Sequence, residues 1–240
     1  MVLHSFLFAG KVSRNYGLYI SGGSTFNAPE RDTTVMSVPG RNGDLVIDNG
    51  RWKNITVSYS AFVVKKFKQN AESIRNWLSG TTGNQRIEDD YHPEYFRIGR
   101  FSGNIEWDIT ALNRAGQTTL TFDCKPQRFL KLGETPIKIE SATTLTNNWQ
   151  TSLPLITIWG EGAAGITING ETVQISNIPT NIVLDCDLQN AYSVSGLQNL
   201  NNLITLPPSG NFLSLIHGDN EISFSGGVTR VEIIPRWWTL

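Results

Sequence analysis

The chain has 240 residues, with 20 Lys and Arg against 21 Asp and Glu, for a formal net charge of -1. That length suits two domains of roughly 120 residues, or one large domain. Hydrophobic residues at 39% and charged residues at 17% exclude a disordered chain, and the neutral balance argues against a dedicated nucleic-acid binder with a basic surface.

The start, Met1–Gly10, is apolar but has no basic segment ahead of it, so it reads as a first strand rather than a signal peptide. No window approaches eighteen apolar residues, so no membrane insertion is expected. Val38–Leu45, VPGRNGDL, reads as a tight turn between strands, because Pro39 fixes one backbone angle and the glycines permit positive φ. It lacks the lysine and hydroxyl that end a phosphate-binding loop. Arg41, Asn42 and Asp44 are therefore candidate contact residues on an exposed loop, against a solvated pair as the bland reading.

Lys53–Val64 alternates, with Ile55, Val57, Tyr59, Ala61 and Val63 on one face, as a half-buried strand does. Asn54-Ile55-Thr56 matches a glycosylation sequon, which carries no weight without a secretory signal. Asn70–Ser79 breaks the strand pattern. Ile74, Trp77 and Leu78 fall on one stripe of a short helix, with Asn70 as N-cap and Gly80 as its left-handed stop. Ten residues make a marginal helix, so it must lie against a sheet, with Trp77 as anchor. Glu88-Asp89-Asp90 reads as a solvated loop rather than a calcium site, since no EF-hand spacing accompanies it. The aromatic stretch Tyr91–Phe101 supplies further candidate interface residues: Tyr91, Tyr95, Phe96 and Phe101. Thr118–Cys124 is again a strand.

Composition shifts near Lys125–Glu134. Residues 1–125 hold 15 basic and 12 acidic side chains, whereas 126–240 hold 5 and 9, which supports a boundary there. The expected domains are 1–130 and 131–240. The second reads as short strands: Leu153–Gly160, Gly165–Asn169, Thr172–Ile175, Asn181–Asp187, Asn211–Ile216, Asn220–Phe224 and Val228–Ile234. Asn169-Gly170 marks a hairpin turn. Repeated short strands of this kind read as a β-sandwich or jelly roll. Trp159, in an apolar strand, is expected in the core. Trp149 and Trp238 are candidate partner or sugar contacts.

Two cysteines, Cys124 and Cys186, are too few for a disulfide scaffold or a four-thiolate metal site. Two buried free thiols are favoured over one long-range disulfide. His4, His92 and His217 show no metal-ligand spacing, and no nucleophile, base and orienting group come together. No enzyme activity, catalytic residue, metal or cofactor is assigned.

Taken in order, several segments resemble one family, the distal tail proteins of long, non-contractile-tailed bacteriophages. They are Gly17–Ile20, Glu30-Arg31, Val38–Leu45, Asp48–Asn54, Phe122–Phe129, Gly218–Asn220, Ile222–Gly226 and Ile234–Arg236. The resemblance implies a mainly β protein. Its N-terminal domain would be a β-sandwich with one short α-helix and a hairpin arm, forming a hexameric ring around the channel for DNA. Its C-terminal domain would be a galectin-like, or carbohydrate-module-like, β-sandwich. The implied role is a structural virion protein of the tail-tip hub or baseplate. It would join the tail tube protein to the tail-associated tip protein, and in several relatives the outer domain carries receptor-binding proteins. DNA would pass without specific binding. The implied place is the virion tail tip, after assembly in the bacterial host cytoplasm, whether the source is a phage, a prophage or a tail-like particle. The alternative is a carbohydrate-binding protein acting in host cell-wall adsorption through Trp149 or Trp238. A β-rich hydrolase is the third option.

Overall fold

The computed structural model describes residues 3–21, 27–110 and 114–240. The chain divides into two compact units, Met1–Arg128 with Leu240, and Phe129–Thr239. The protein is mainly β, with one α-helix among the described residues.

The first unit is built on one wrapped sheet and a separate hairpin. The strands of the unit are β1 (Phe6–Phe8), β2 (Lys11–Val12), β3 (Leu18–Ser21), β4 (Arg31–Met36), β5 (Leu45–Trp52), β6 (Ile55–Val63), β7 (Gln85–Asp89), β8 (Tyr95–Phe101), β9 (Asp108–Thr110) and β10 (Ala115–Cys124). The main order is β2-β1-β7-β8-β10-β6-β3, with β9 on β10. The sheet curls until its ends meet, because His4 forms an isolated bridge with Ile20. Of the apolar start Met1–Gly10, Met1 and Val2 lie outside the described residues, and the rest contains β1 as expected.

The alternation in β6 holds residue by residue: Ile55, Val57, Tyr59, Ala61 and Val63 are buried. β10 sends Leu120, Phe122 and Cys124 to the same core. Rings of Phe6, Phe8, Tyr59 and Phe122 meet there at centroid distances of 5.2–5.9 Å, spacings at which aromatic pairs attract.

The helix, α1 (Phe67–Gly80), begins earlier than the capping pattern suggested. Lys66, at φ 50, turns the chain, and buried Phe67 opens the helix by packing edge-on to Trp107 at 5.1 Å. Asn70 is inside the first turns, its amide donating to the Lys65 carbonyl at 3.0 Å. Gly80 is the last helical residue and not a left-handed stop. The next residue, Thr81, is extended, and its hydroxyl donates to the Trp77 carbonyl at 2.6 Å. A side chain thus satisfies a carbonyl that a glycine turn would otherwise have served. Trp77 is the anchor: its ring stacks on Tyr16 at 4.7 Å and Phe6 at 5.6 Å, and its indole N–H donates to the Phe8 carbonyl.

The second unit contains β11 (Arg128–Leu130), which spans the division, then β12 (Ile137–Ile139), β13 (Thr143–Asn147), β14 (Leu155–Ile168), β15 (Glu171–Ile178), β16 (Asn181–Asp185), β17 (Asn190–Tyr192), β18 (Ile204–Thr205), β19 (Gly218–Ile234) and β20 (Trp238–Thr239). Two long strands organise it. The first half of β14 pairs with β16 and the second half with β15. The first half of β19 pairs with β13 and the second half with β12. β14 and β19 pair with each other throughout, with register shifts at Gly160–Ala164. One sheet therefore supplies both layers of a sandwich-like unit. Ile156, Ile158, Ile166, Ile182, Leu184, Val231 and Ile233 are buried in its core.

Four of the expected short strands are thus two long ones. Gly160 and Gly227 form a corner where these long strands bend. A Cβ on Gly160 would meet the Gly227 carbonyl, and one on Gly227 would meet the Glu161 carbonyl. Bulges with glycine let two strands bend together without breaking the ladder. Asn211–Ile216 is no strand; it contributes only the bridge Ser152↔Leu215. The Asn169-Gly170 turn is as expected, with φ of 52 and 83 and Ile168 facing Glu171, a type I′ hairpin.

Candidate interaction surface on the hairpin arm

β4 and β5 leave the wrapped sheet and form a two-stranded sheet of their own. The turn Val38–Leu45 lies at its tip, with Gly40 at φ 81 and Gly43 at φ 82, and Arg41 N donating to the Val38 carbonyl. Arg41, Asn42 and Asp44 are all exposed there. The base of the arm is polar. Arg31 meets Asp48 at 2.8 Å, Arg51 meets Asp32 at 2.6 Å and Lys53 meets Glu30 at 3.3 Å. The Arg31 guanidinium also lies 4.8 Å from the Trp52 ring centroid. Hydrogen bonds from Arg51 hold the Asp32 carboxyl below its usual pKa, and those from Arg31 do the same for Asp48. Exposed pairs of this kind contribute little stability but do fix register.

Beyond this base the arm is apolar on both faces. Met36 faces Leu45 and Val35 faces Val46, with Thr34 opposite Ile47. Directly opposed residues share a face and successive residues alternate. Met36, Leu45 and Ile47 therefore lie on one face, and Val35 and Val46 on the other. All five are exposed, Val35 at 57% and Val46 at 60%. A lone two-stranded hairpin is marginal in water, and clustered exposed apolar residues mark a contact surface. The sequence reading singled out the turn and missed these neighbours. The signal was present: Leu45-Val46-Ile47 is a continuous apolar run, which a strand with one solvent face does not have.

The aromatic candidates lie apart from the arm and are engaged within their own unit. The Tyr91 ring packs 4.3 Å from His4, and its hydroxyl donates to the Ile20 carbonyl at 3.3 Å. Tyr95 lies under the Arg128 guanidinium at 4.3 Å, Phe96 under Arg86 at 3.8 Å, and Phe101 meets Phe122 edge-on. The solvated-loop reading of Glu88-Asp89-Asp90 is corrected. Asp89 ends β7 and accepts from the Tyr59 hydroxyl at 2.8 Å and from the backbone N–H groups of Tyr91 and His92 at 3.0 and 2.9 Å. Asp90 takes the Ser5 N–H and hydroxyl. These carboxylates staple the segment after β7 to the sheet, because short polar side chains at a turn capture local N–H groups.

In the second unit, Trp149 packs against Trp237 at 5.6 Å, and the Trp238 indole donates to the Thr151 carbonyl at 2.9 Å. Both candidate sugar contacts are half-buried. Trp159 is not core. It points outward from β14, half-exposed, with the Arg230 guanidinium 4.0 Å over its ring. Its cross-strand neighbour is Arg230, so a cation–π pair covers the ring in place of the core. Cys124 and Cys186 are buried free thiols, one in each unit, and burial pushes both up to about 12. His4, His92 and His217 lie on separate contacts, to Tyr91, Asp89 and the Trp149 carbonyl. Among the described residues no three His, Cys, Asp or Glu side chains are grouped to hold a metal ion, and no helix is long and apolar enough to cross a membrane.

Two β units with a projecting hairpin define a fold already seen in phage tail-tip hubs. The crystal structure of the phage SPP1 Dit protein, described as a paradigm of the hub adsorption apparatus in phages infecting Gram-positive bacteria, matches with a TM-score of 0.78 over 100% of both chains, at 13% identity. The baseplate of phage P2 in its activated conformation with Ca matches at 0.57 with 8% identity, over 100% of this chain and 99% of that one. The phage p2 baseplate in its activated conformation with Sr matches at 0.54 with 9% identity, over 97% and 98%. No protein-family model and no curated protein matches the sequence. The chain therefore has the Dit fold along its whole length.

Proposed function

We propose that the protein is a structural component of a phage tail-tip hub, and that the first unit closes a hexameric ring through its arm. The observation that carries this reading is the fold shared with the SPP1 hub protein over the entire chain. The exposed apolar arm supports it, since a heterologous contact repeated around an axis closes a ring and buries such a surface. An obligate contact of this kind buries more than about 2,000 Å². Arg41, Asn42 and Asp44 at the tip would then set register against the next copy. The first half of the chain carries only a modest positive excess. That suits a passage for DNA, because many fixed phosphate contacts would retain the duplex. Tail tube protein and tail-associated tip protein are the expected partners, and the second unit is the candidate seat for receptor-binding proteins. Light scattering after size exclusion, with and without tube protein, tests this. Discrete hexamers are expected. A monomer at every concentration, with tube protein present, would overturn the ring.

A further inference from the structure

Three Asn-Gly dipeptides occur in the chain, Asn42-Gly43, Asn49-Gly50 and Asn169-Gly170, and all of these residues are exposed. An asparagine side-chain amide can be attacked by the backbone nitrogen of the next residue, and glycine there leaves the approach uncrowded. The attack needs that nitrogen and the asparagine Cγ to reach a near-attack geometry. A hydrogen bond on either group must break first. Exposure does not separate the three pairs, but hydrogen bonding does.

Asn169 is held twice. Its amide donates to the Asn220 side-chain oxygen at 2.8 Å, and its own side-chain oxygen accepts from the Glu221 N–H at 3.0 Å. Its backbone is fixed in the tight turn at φ 52. Asn49 bonds the Thr34 hydroxyl across the ladder at 3.2 Å. The nitrogen that would attack it is occupied, since the Gly50 N–H donates to the Asp48 carboxylate at 2.8 Å. Asn42 and Gly43 lie at the arm tip, just past the hydrogen bond from Arg41 N to the Val38 carbonyl that closes the turn. Among the described residues, neither the Asn42 side chain nor the Gly43 N–H has a hydrogen-bond partner. Beyond the adjoining residues, no described atom stands within 4 Å of where a Gly43 Cβ would be.

We propose that Asn42 is a self-modification site, where the arm tip converts its own amide to a carboxylate while Asn49 and Asn169 persist. The Gly43 backbone nitrogen gives up its proton and bonds to Asn42 Cγ. The bond from Cγ to the side-chain amide nitrogen breaks, that nitrogen leaves as ammonia, and a five-membered imide ring is closed. Water adds to one of the two ring carbonyls and opens the ring, to aspartate or to isoaspartate at position 42. Nothing is oxidised or reduced. The product alters the tip: Arg41 and Asp44 balance each other before the reaction, and the new carboxylate leaves an excess negative charge. Isoaspartate also adds a carbon to the backbone of the loop. The site belongs to the isolated chain. Its consequence, that a tip so altered no longer fits a neighbouring copy, rests on the hub reading.

Peptide mass spectrometry of the full chain, aged in mildly alkaline buffer, tests the site. The peptide holding Asn42 should gain the mass of an amide-to-acid exchange at least about tenfold faster than those holding Asn49 or Asn169, whose hydrogen bonds must open first. In denaturant the three rates should converge. Equal rates in the folded chain, a faster reaction at Asn49 or Asn169, or a ranking that survives denaturation and so comes from flanking sequence, overturns the proposal. Sedimentation of the aged chain reads the consequence separately. Modified chain should be depleted from the assembled fraction; equal content in both fractions overturns the consequence, and the absence of any assembled fraction counts against the hub reading, while the peptide rates alone decide the site.

Discussion

β5 and β6 are consecutive strands with similar apolar content and opposite fates. In β6 Ile55, Val57, Tyr59, Ala61 and Val63 alternate, and one wrapped sheet with a helix buries all five. In β5 the apolar residues run together as Leu45-Val46-Ile47, and all three stay exposed among the described residues. Apolar content therefore does not decide burial; spacing and an available partner do. β6 is complete as a folded element. The ion pairs of the arm fix its register, and its apolar faces are left for a second surface to cover.

The sharpest way to test that contrast is to remove the centre of the covered side. Trp77→Ala should cost about 3–5 kcal/mol, read as a shifted denaturation midpoint for the first unit, because it empties the stack between Tyr16 and Phe6. A loss below about 1 kcal/mol would mean the helix is not the lid of this core. A second comparison lies in the other unit, where Arg236 makes a bidentate pair with Asp185 at 2.7 and 3.0 Å. Burial alone would raise the Asp185 pKa, but the hydrogen bonds from Arg236 and from the Leu188 and Asp187 N–H groups outweigh it and hold the carboxyl below its usual value. Its stabilisation is therefore fully present above the unfolded pKa, near 4, and is lost as pH falls through the lower folded value. Asp185→Asn should cost about 2–3 kcal/mol at neutral pH and flatten the acid end of the stability profile. An unchanged profile below pH 4 would contradict this. Gly227→Ala should follow at about 1–3 kcal/mol, since its Cβ meets the Glu161 carbonyl where β14 and β19 bend.

The glycine corner also shows where the sequence stopped being legible. The alternation of β6, the apolar stripe of α1 and the Asn169-Gly170 turn are local signals, and each matched the fold. Gly160 and Gly226-Gly227 carry the same local signature as turns, and only the pairing of two distant strands makes them a bend. Trp159 failed for a similar reason. An apolar strand does not state which of its faces is inward, and Arg230, far along the chain, supplied the cover. Asp89 was unreadable because its partners, Tyr59 and the turn behind it, come together only once the sheet has wrapped. The arm's turn was legible from Pro39 and its glycines. Its apolar faces were overlooked because an uncovered strand has no counterpart in a rule built on burial.

The smallest expected effect on the folded chain is the most informative for the arm. Val46→Asp changes a residue that is 60% exposed and faces only Val35 across the ladder. Unfolding of the isolated chain should move by no more than about 0.5 kcal/mol, as for an ordinary surface site. If the arm packs against a neighbouring copy, the same change places a charge in a desolvated contact and should weaken self-association at least about tenfold, since about 1.4 kcal/mol suffices for that. Val46→Ala, which only trims the side chain, should weaken it less. Sedimentation across a concentration series separates the two quantities. A variant that loses fold stability but keeps its assembly state would show that the arm's apolar faces serve its own unit after all, and the contrast between β5 and β6 would disappear.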